Sequence, residues 1–179
     1  MKFKLRGVQV LCGLLALITV SGTCLASDDG LGTINIMGEI HNNTCVVDTT
    51  ELNVNMGNVA TKQFYRAGNV PLPVHFTIGL KDCGPEVIGV AVKFVGQPAI
   101  AGSPLVKLDA SVGAATGLGI SLMDRNKTQI AVNDNSGVYP LISGNDTATL
   151  DFYAQYSAYT IPVTAGPASA SVTFTMTYQ

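Results

Sequence analysis

The side chains best suited to nucleophilic catalysis or metal binding are scarce: the chain holds two His and four Cys among 179 residues. His41 lies in a polar stretch beside Asn42 and Asn43, and His75 occupies the polar register of an alternating segment. Both read as solvated surface residues rather than as bases or ligands. No Gly-x-Ser-x-Gly elbow is present to expose a nucleophilic serine. No Cys or His spacing suits zinc, which needs three or four converging ligands. Gly117-Leu118-Gly119 lacks the third glycine and the following helix of a dinucleotide site. Asp134, between Asn133 and Asn135 and close to Gly137, lacks the length and the closing glutamate of a calcium loop, so it reads as a turn. Asp28 and Asp29 are paired carboxylates, but they fall in the polar start of the chain rather than in a predicted cleft. Asn42-Asn43-Thr44, Asn126-Lys127-Thr128 and Asn145-Asp146-Thr147 match the glycosylation triplet, a weak signal in a chain rich in Asn and Thr. The expectation is no enzyme activity, no cofactor and no metal.

The thiols are best explained by export. Lys2, Lys4 and Arg6 give a positive start, Val8 to Val20 form an apolar stretch, and Cys24-Leu25-Ala26 offers small residues for cleavage after Ala26. A membrane anchor and a lipid-bearing Cys24 are the competing readings. The apolar stretch is shorter than the roughly 20 residues of a membrane span, and Ser21-Gly22-Thr23 is a poor lead-in to a lipidated cysteine. Cleavage would remove Cys12 and Cys24 and leave Cys45 and Cys83. Two thiols in an exported chain read as one disulfide; two free buried thiols are the alternative. A bridge closing a loop of this length is worth about 4 kcal/mol in the chain-entropy view.

The remaining 153 residues carry twelve acidic and seven basic side chains, a net charge of -5. With a full-chain pI near 5.5, a broad basic surface is excluded, and nucleic acid is not expected as a partner. A composition 47% hydrophobic and 12% charged excludes disorder. Nineteen Gly and eight Pro argue against a helical bundle.

The elements that must hold any site are strands. Leu72, Val74, Phe76, Ile78 and Leu80 alternate with polar or small residues, as do Ile88, Val90, Val92 and Phe94. Leu150, Phe152, Ala154 and Tyr156 form a third face, and Val172, Phe174, Met176 and Tyr178 a fourth. Period two buries one face and wets the other, the antiparallel pattern. Shorter candidates are residues 52–56, 105–109, 118–123, 129–132 and 138–142, and a brief helical turn is possible at 61–66. Turn signals at 82–85, 96–98, 133–137 and 143–146 separate the runs. Many short strands at this spacing predict an all-β sandwich of one domain. A final strand running almost to the last residue needs a neighbour on each side or leaves an exposed edge.

One further alternating segment lies near the start: Ile34, Ile36, Gly38 and Ile40 share one parity. On residues alone it is the first strand of a self-contained sandwich. Other features, taken together, are more specific. The chain ends in Thr177-Tyr178-Gln179, and Gly166 stands fourteenth from the end after Val163-Thr164-Ala165. Cys45 and Cys83 stand 38 positions apart, Thr33-Ile34-Asn35-Ile36-Met37-Gly38 precedes them, and Met56-Gly57-Asn58-Val59 and Leu150-Asp151-Phe152-Tyr153-Ala154 follow the same pattern. In these respects the sequence resembles the pilins of the chaperone–usher family, close to the type 1 fimbrial subunits.

The resemblance implies an incomplete immunoglobulin-like β-sandwich, completed by a donor strand from a neighbouring subunit. It divides the chain into a signal peptide (1–26), a donor-strand extension (27–41) and a pilin domain (42–179). The donor residues would be Ile34, Ile36, Gly38 and Ile40; the three isoleucines would supply about 5–9 kcal/mol of burial before ordering costs. The receiving groove and the strand bound by chaperone or subunit would involve Gly166, Val172, Phe174, Met176 and Tyr178. The implied partners are a periplasmic pilus chaperone, an outer-membrane usher and neighbouring pilins. The route runs through the periplasm to a fimbrium on the bacterial surface, with adhesion as its purpose. The rival reading is a self-complete secreted sandwich that binds carbohydrate or protein; the absence of Trp counts against a sugar platform.

Overall fold

The computed structural model describes Met37, residues 44–66 and residues 70–179. The expected signal segment, His41 and the expected donor residues Ile34, Ile36, Gly38 and Ile40 lie outside the described residues.

Among the described residues, nine strands form in chain order: β1 (Val46–Val47), β2 (Val74–Lys81), β3 (Gly89–Val95), β4 (Val106–Lys107), β5 (Leu118–Met123), β6 (Gln129–Ile130), β7 (Tyr139–Pro140), β8 (Thr147–Ala158) and β9 (Thr173–Tyr178). A single 3-10 turn occupies Thr61–Gln63, inside the stretch expected to turn. All pairings are antiparallel. The larger sheet has the order β1-β2-β8-β5-β4, with β6 also on β5; the smaller has the order β7-β3-β9.

The long strand β8 is the spine of the larger sheet. Its first half pairs with β2, from Lys81↔Thr147 to Val74↔Ala154, and its second half with β5, from Met123↔Tyr153 to Leu118↔Ala158. Twelve residues give a domain axis of about 40 Å. The inward positions Leu150, Phe152, Ala154, Tyr156 and Ala158 are buried and alternate with half-buried polar ones. Phe152 is the hub between sheets. It stacks on Phe76 at 5.7 Å and meets Phe94 edge-on at 5.2 Å and Tyr139 at 5.1 Å between ring centroids. Such pairs add about 0.5–1.5 kcal/mol each beyond area burial.

Two strand ends expected from alternation fall short. Leu72 and Ile88 are exposed and precede β2 and β3. Pro71 and Pro73 flank Leu72 and offer no N–H to a ladder. Ile88 follows the Asp82-Cys83-Gly84-Pro85 turn, and its neighbour Val87, not Ile88, turns into the core.

The two sheets are tied at one end of the axis, where the Tyr178 hydroxyl donates to the Cys45 carbonyl. The Cys45–Cys83 disulfide joins the start of the domain to the turn after β2, and the Gly84 N–H donates to the Thr44 carbonyl. The Ile88 and Gly89 N–H groups donate to the Gln179 carbonyl at the same end. At the opposite end, Thr164 N–H donates to Thr116 and Ala115 N–H to Pro167, so residues 109–116 brace the approach to β9.

Candidate functional site

The alternating Val172 to Tyr178 run delivers what its period dictates: Phe174, Met176 and Tyr178 turn inward and are half-buried, while Thr173, Thr175 and Thr177 are exposed. One edge of β9 is satisfied by β3, from Val90↔Tyr178 to Val95↔Thr173. The far edge of β3 is also covered, because Asn133 and Ser136 donate to the Phe94 and Val92 carbonyls and β7 continues the pairing. The second edge of β9 has no strand partner among the described residues.

Beside that edge runs a groove of about 950 Å³. One lip is residues 168–174. The other is residues 50–57, an extended segment in which Leu52, Val54 and Met56 turn inward and Glu51, Asn53 and Asn55 face out. Among the described residues, no backbone partner pairs with 50–57: the segment leaves β2 after the Asp48 N–H bonds the Gly79 carbonyl. Expected as a strand, it has a strand's alternation without a ladder. The floor is apolar, formed by Phe76, Ile78, Phe94, Ile120, Leu122 and Tyr156. The arrangement offers one row of unpaired main-chain groups above a hydrophobic trench, which is the geometry that accepts an added β-strand.

The five residues assigned to this region by resemblance separate. Val172 and Phe174 line the groove. Met176 and Tyr178 share their face further along β9, outside the lining; there the Tyr178 hydroxyl contacts the Met176 sulfur at 3.3 Å and donates to the Cys45 carbonyl. Gly166 lies outside the groove, in a smaller hollow with Val59, Phe64, Ala115 and Leu118. A side chain there would collide with the Gly113 carbonyl and the backbone of Ala114 and Ala115. Its role in this fold is close backbone approach. Sequence reasoning missed the second lip: the alternation of Leu52, Val54 and Met56 was legible, but not its position across the groove from β9.

Three tyrosines fix the site's surroundings through main-chain carbonyls. Tyr156 on the floor donates to Ala168 at 2.6 Å, Tyr139 to Asp151 at 2.8 Å, and Tyr178 to Cys45 at 3.0 Å. Burial pushes the Tyr156 and Tyr178 hydroxyls above their ordinary range and carries Tyr139 up to about 12. His75 is on the outer face of β2, 2.8 Å from the Asp151 carboxylate and away from the groove. Asn133 holds the Asp134 loop by a two-way bond to the Gly96 backbone, which makes it a turn. Among the described residues, no three His, Cys, Asp or Glu side chains gather to hold a metal ion.

These features coincide with a known group of proteins. A family model described as "Fimbrial protein" matches residues 34–179. The fimbrial-like protein YcbV of Escherichia coli K12 is 38% identical over 149 residues, which is 82% of this chain and 85% of its own. The type-1 fimbrial protein A chain of the same strain is 31% identical over 184 residues, spanning both chains in full. A type I fimbria protein and antigen of Burkholderia pseudomallei has a solved structure 31% identical, with a TM-score of 0.58 over 75% of this chain and 89% of that one. The P pilus rod subunit PapA shares the fold at a TM-score of 0.62 and 21% identity, covering 75% of this chain and 99% of its own. The chain belongs to the fimbrial protein family.

Proposed function

We propose that the chain is a structural subunit of a surface fimbria and polymerises by donating residues 34–40 to the groove of the next copy. The observation that carries this reading is the free edge of β9 above the apolar floor. The lengths are close, since residues 34–40 number seven and the facing lip 50–57 eight. Ile34, Ile36 and Ile40 meet the floor, and Gly38 shares their parity. Main-chain bonds to β9 set the register, as in other strand additions. Head-to-tail donation of this kind does not close on itself, so it builds a fibre.

An open apolar trench is an aggregation hazard before assembly. The route therefore includes export after cleavage behind Ala26, a periplasmic chaperone that covers the groove first, and an outer-membrane usher where the neighbour's extension replaces it. Met176, Tyr178 and the edge of β9 are the surface these partners share with the donor. Such a subunit acts by assembly and not by catalysis.

The test is fibre yield from cells expressing the Gly38→Arg chain with its chaperone and usher. Loss of fibres with the chaperone complex retained is the expected result. Wild-type fibre yield overturns the donor assignment.

A further inference from the structure

The two ends of the domain differ in charge. The disulfide end carries Asp82, Glu86 and Asp146, all exposed, and its one lysine, Lys81, is already paired with Asp48 at 3.0 Å. Hydrogen bonds bring these residues together: the Cys83 N–H donates to the Asp146 carbonyl, and Ser143 donates to Pro85 beside Glu86. The opposite end carries exposed Lys62, Arg66 and Lys107 against a single acid, Asp109. Lys62 lies on the 3-10 turn that borders the hollow with Ala115 and Val163, and Lys107 pairs with Gly119 on the far half of the larger sheet. Among the described residues, one pole is acidic and the other basic.

Each pole also shows apolar side chains to solvent. At the acidic pole, Ile88 is 62% and Ile142 73% exposed; they are neighbours, because Leu141 N–H donates to the Ile88 carbonyl. At the basic pole, Tyr65 is 69% exposed, and Val112 stands fully exposed on the 109–116 brace.

The chain's own arithmetic brings unlike poles together. This step rests on the donor-strand reading above. Ile40 and Cys45 are five positions apart, a reach of at most about 18 Å. That is less than half the roughly 40 Å length of β8. The donating copy must therefore place its disulfide pole against whichever pole of the acceptor the donor strand leaves. β9 runs from the basic pole to the acidic one. A donor antiparallel to β9, like every other pairing in the fold, leaves at the basic pole and sets acid against base. A parallel donor would set two acidic poles against each other, which like-charge repulsion disfavours.

We propose that successive copies dock pole to pole: Glu86, Asp146, Ile88 and Ile142 of the donating copy sit on Lys62, Arg66, Lys107 and Val112 of the accepting copy. The contact is heterologous and continuous with the strand-exchange groove. It steers encounter and fixes the angle between neighbours in the fibre.

The test is charge reversal in the full chain, followed by the rate of fibre elongation at low and high salt. Asp82 is left alone because it sits at φ 49, where a lysine would be strained. One variant carries Glu86→Lys and Asp146→Lys, a second carries Lys62→Glu and Lys107→Glu, and a third carries all four. Unfolding midpoints of the isolated subunits check that the fold is intact. The first two variants are expected to elongate about tenfold more slowly at low salt, with the difference shrinking as salt rises. The third is expected to recover, since its poles are complementary again. Unchanged elongation in the first two, or no recovery in the third, overturns the pole contact. A variant that misfolds is replaced by Ile142→Ser, for which slower elongation is again expected and an unchanged rate counts against the proposal. Failure of the donor-strand reading looks different: Gly38→Arg would then assemble normally, whatever the poles do.

Discussion

The Tyr178 hydroxyl donates to the Cys45 carbonyl at 3.0 Å, joining β9 to the residue before β1 across 133 positions of sequence. The bond spans the two sheets at the disulfide pole. The groove lining on β9 stops at Phe174, short of this bond. The penultimate tyrosine is thereby a structural latch as well as part of the apolar face of β9.

Tyr178→Phe keeps the ring and removes the latch, leaving the Cys45 carbonyl without its partner. The expected loss is about 1 kcal/mol, read as a lower urea midpoint at constant slope. Hydrogen exchange of the Val46 and Val47 amides should quicken at the same time. Unchanged midpoint and exchange would show that the bond contributes nothing to holding the first strand.

The disulfide acts at the same pole. It joins cysteines 38 positions apart in sequence, and Cys45→Ser should cost about 4 kcal/mol. The check is urea unfolding with and without reductant. Reductant should lower the midpoint of the native chain to that of the variant and leave the variant unmoved.

Phe152 and Phe174 differ in kind although both are aromatic residues on inward faces. Phe152 is fully buried and touches three rings, whereas Phe174 is half-buried on a groove lip. Phe152→Ala should cost about 3–5 kcal/mol of subunit stability. Phe174→Ala should cost less in the isolated subunit and more in fibre stability. Equal losses in both assays would remove the distinction between core and docking surface.

Alkaline pH acts through the raised tyrosines. Below pH 10 the hydroxyls are protonated in both folded and unfolded chains, and their contribution is fully present. Above it the unfolded chain ionises first, while Tyr139 holds its proton up to about 12. Stability should therefore fall as pH rises from 10 through 12. Urea midpoints across that range should drop, and Tyr139→Phe should flatten the drop.

How much of this was legible in the residues depends on which interaction decided each element. β5 (Leu118–Met123) and β9 match the expected runs to within a residue, because burial and period two point the same way. The Cys45–Cys83 pairing agrees with the expectation of an exported chain that keeps only these two thiols. Residues 52–56 had the pattern of a strand but form no ladder, since pairing needs a partner and no local pattern reports one. Gly166 looked like a groove residue and serves instead as a site of backbone contact with residues 113–115, a long-range approach invisible in sequence. The charged poles were unreadable for the same reason: Glu86 and Asp146 are 60 positions apart and meet only in the fold.

The most direct test of strand donation uses a chain lacking residues 27–40 and a peptide of residues 32–42, followed by thermal unfolding and hydrogen exchange at β9. The peptide should raise the unfolding midpoint by at least about 10 °C and protect the β9 amides that point away from β3, and a Gly38→Arg peptide should do neither. A truncated chain whose midpoint and β9 exchange are unmoved by the native peptide would contradict the account.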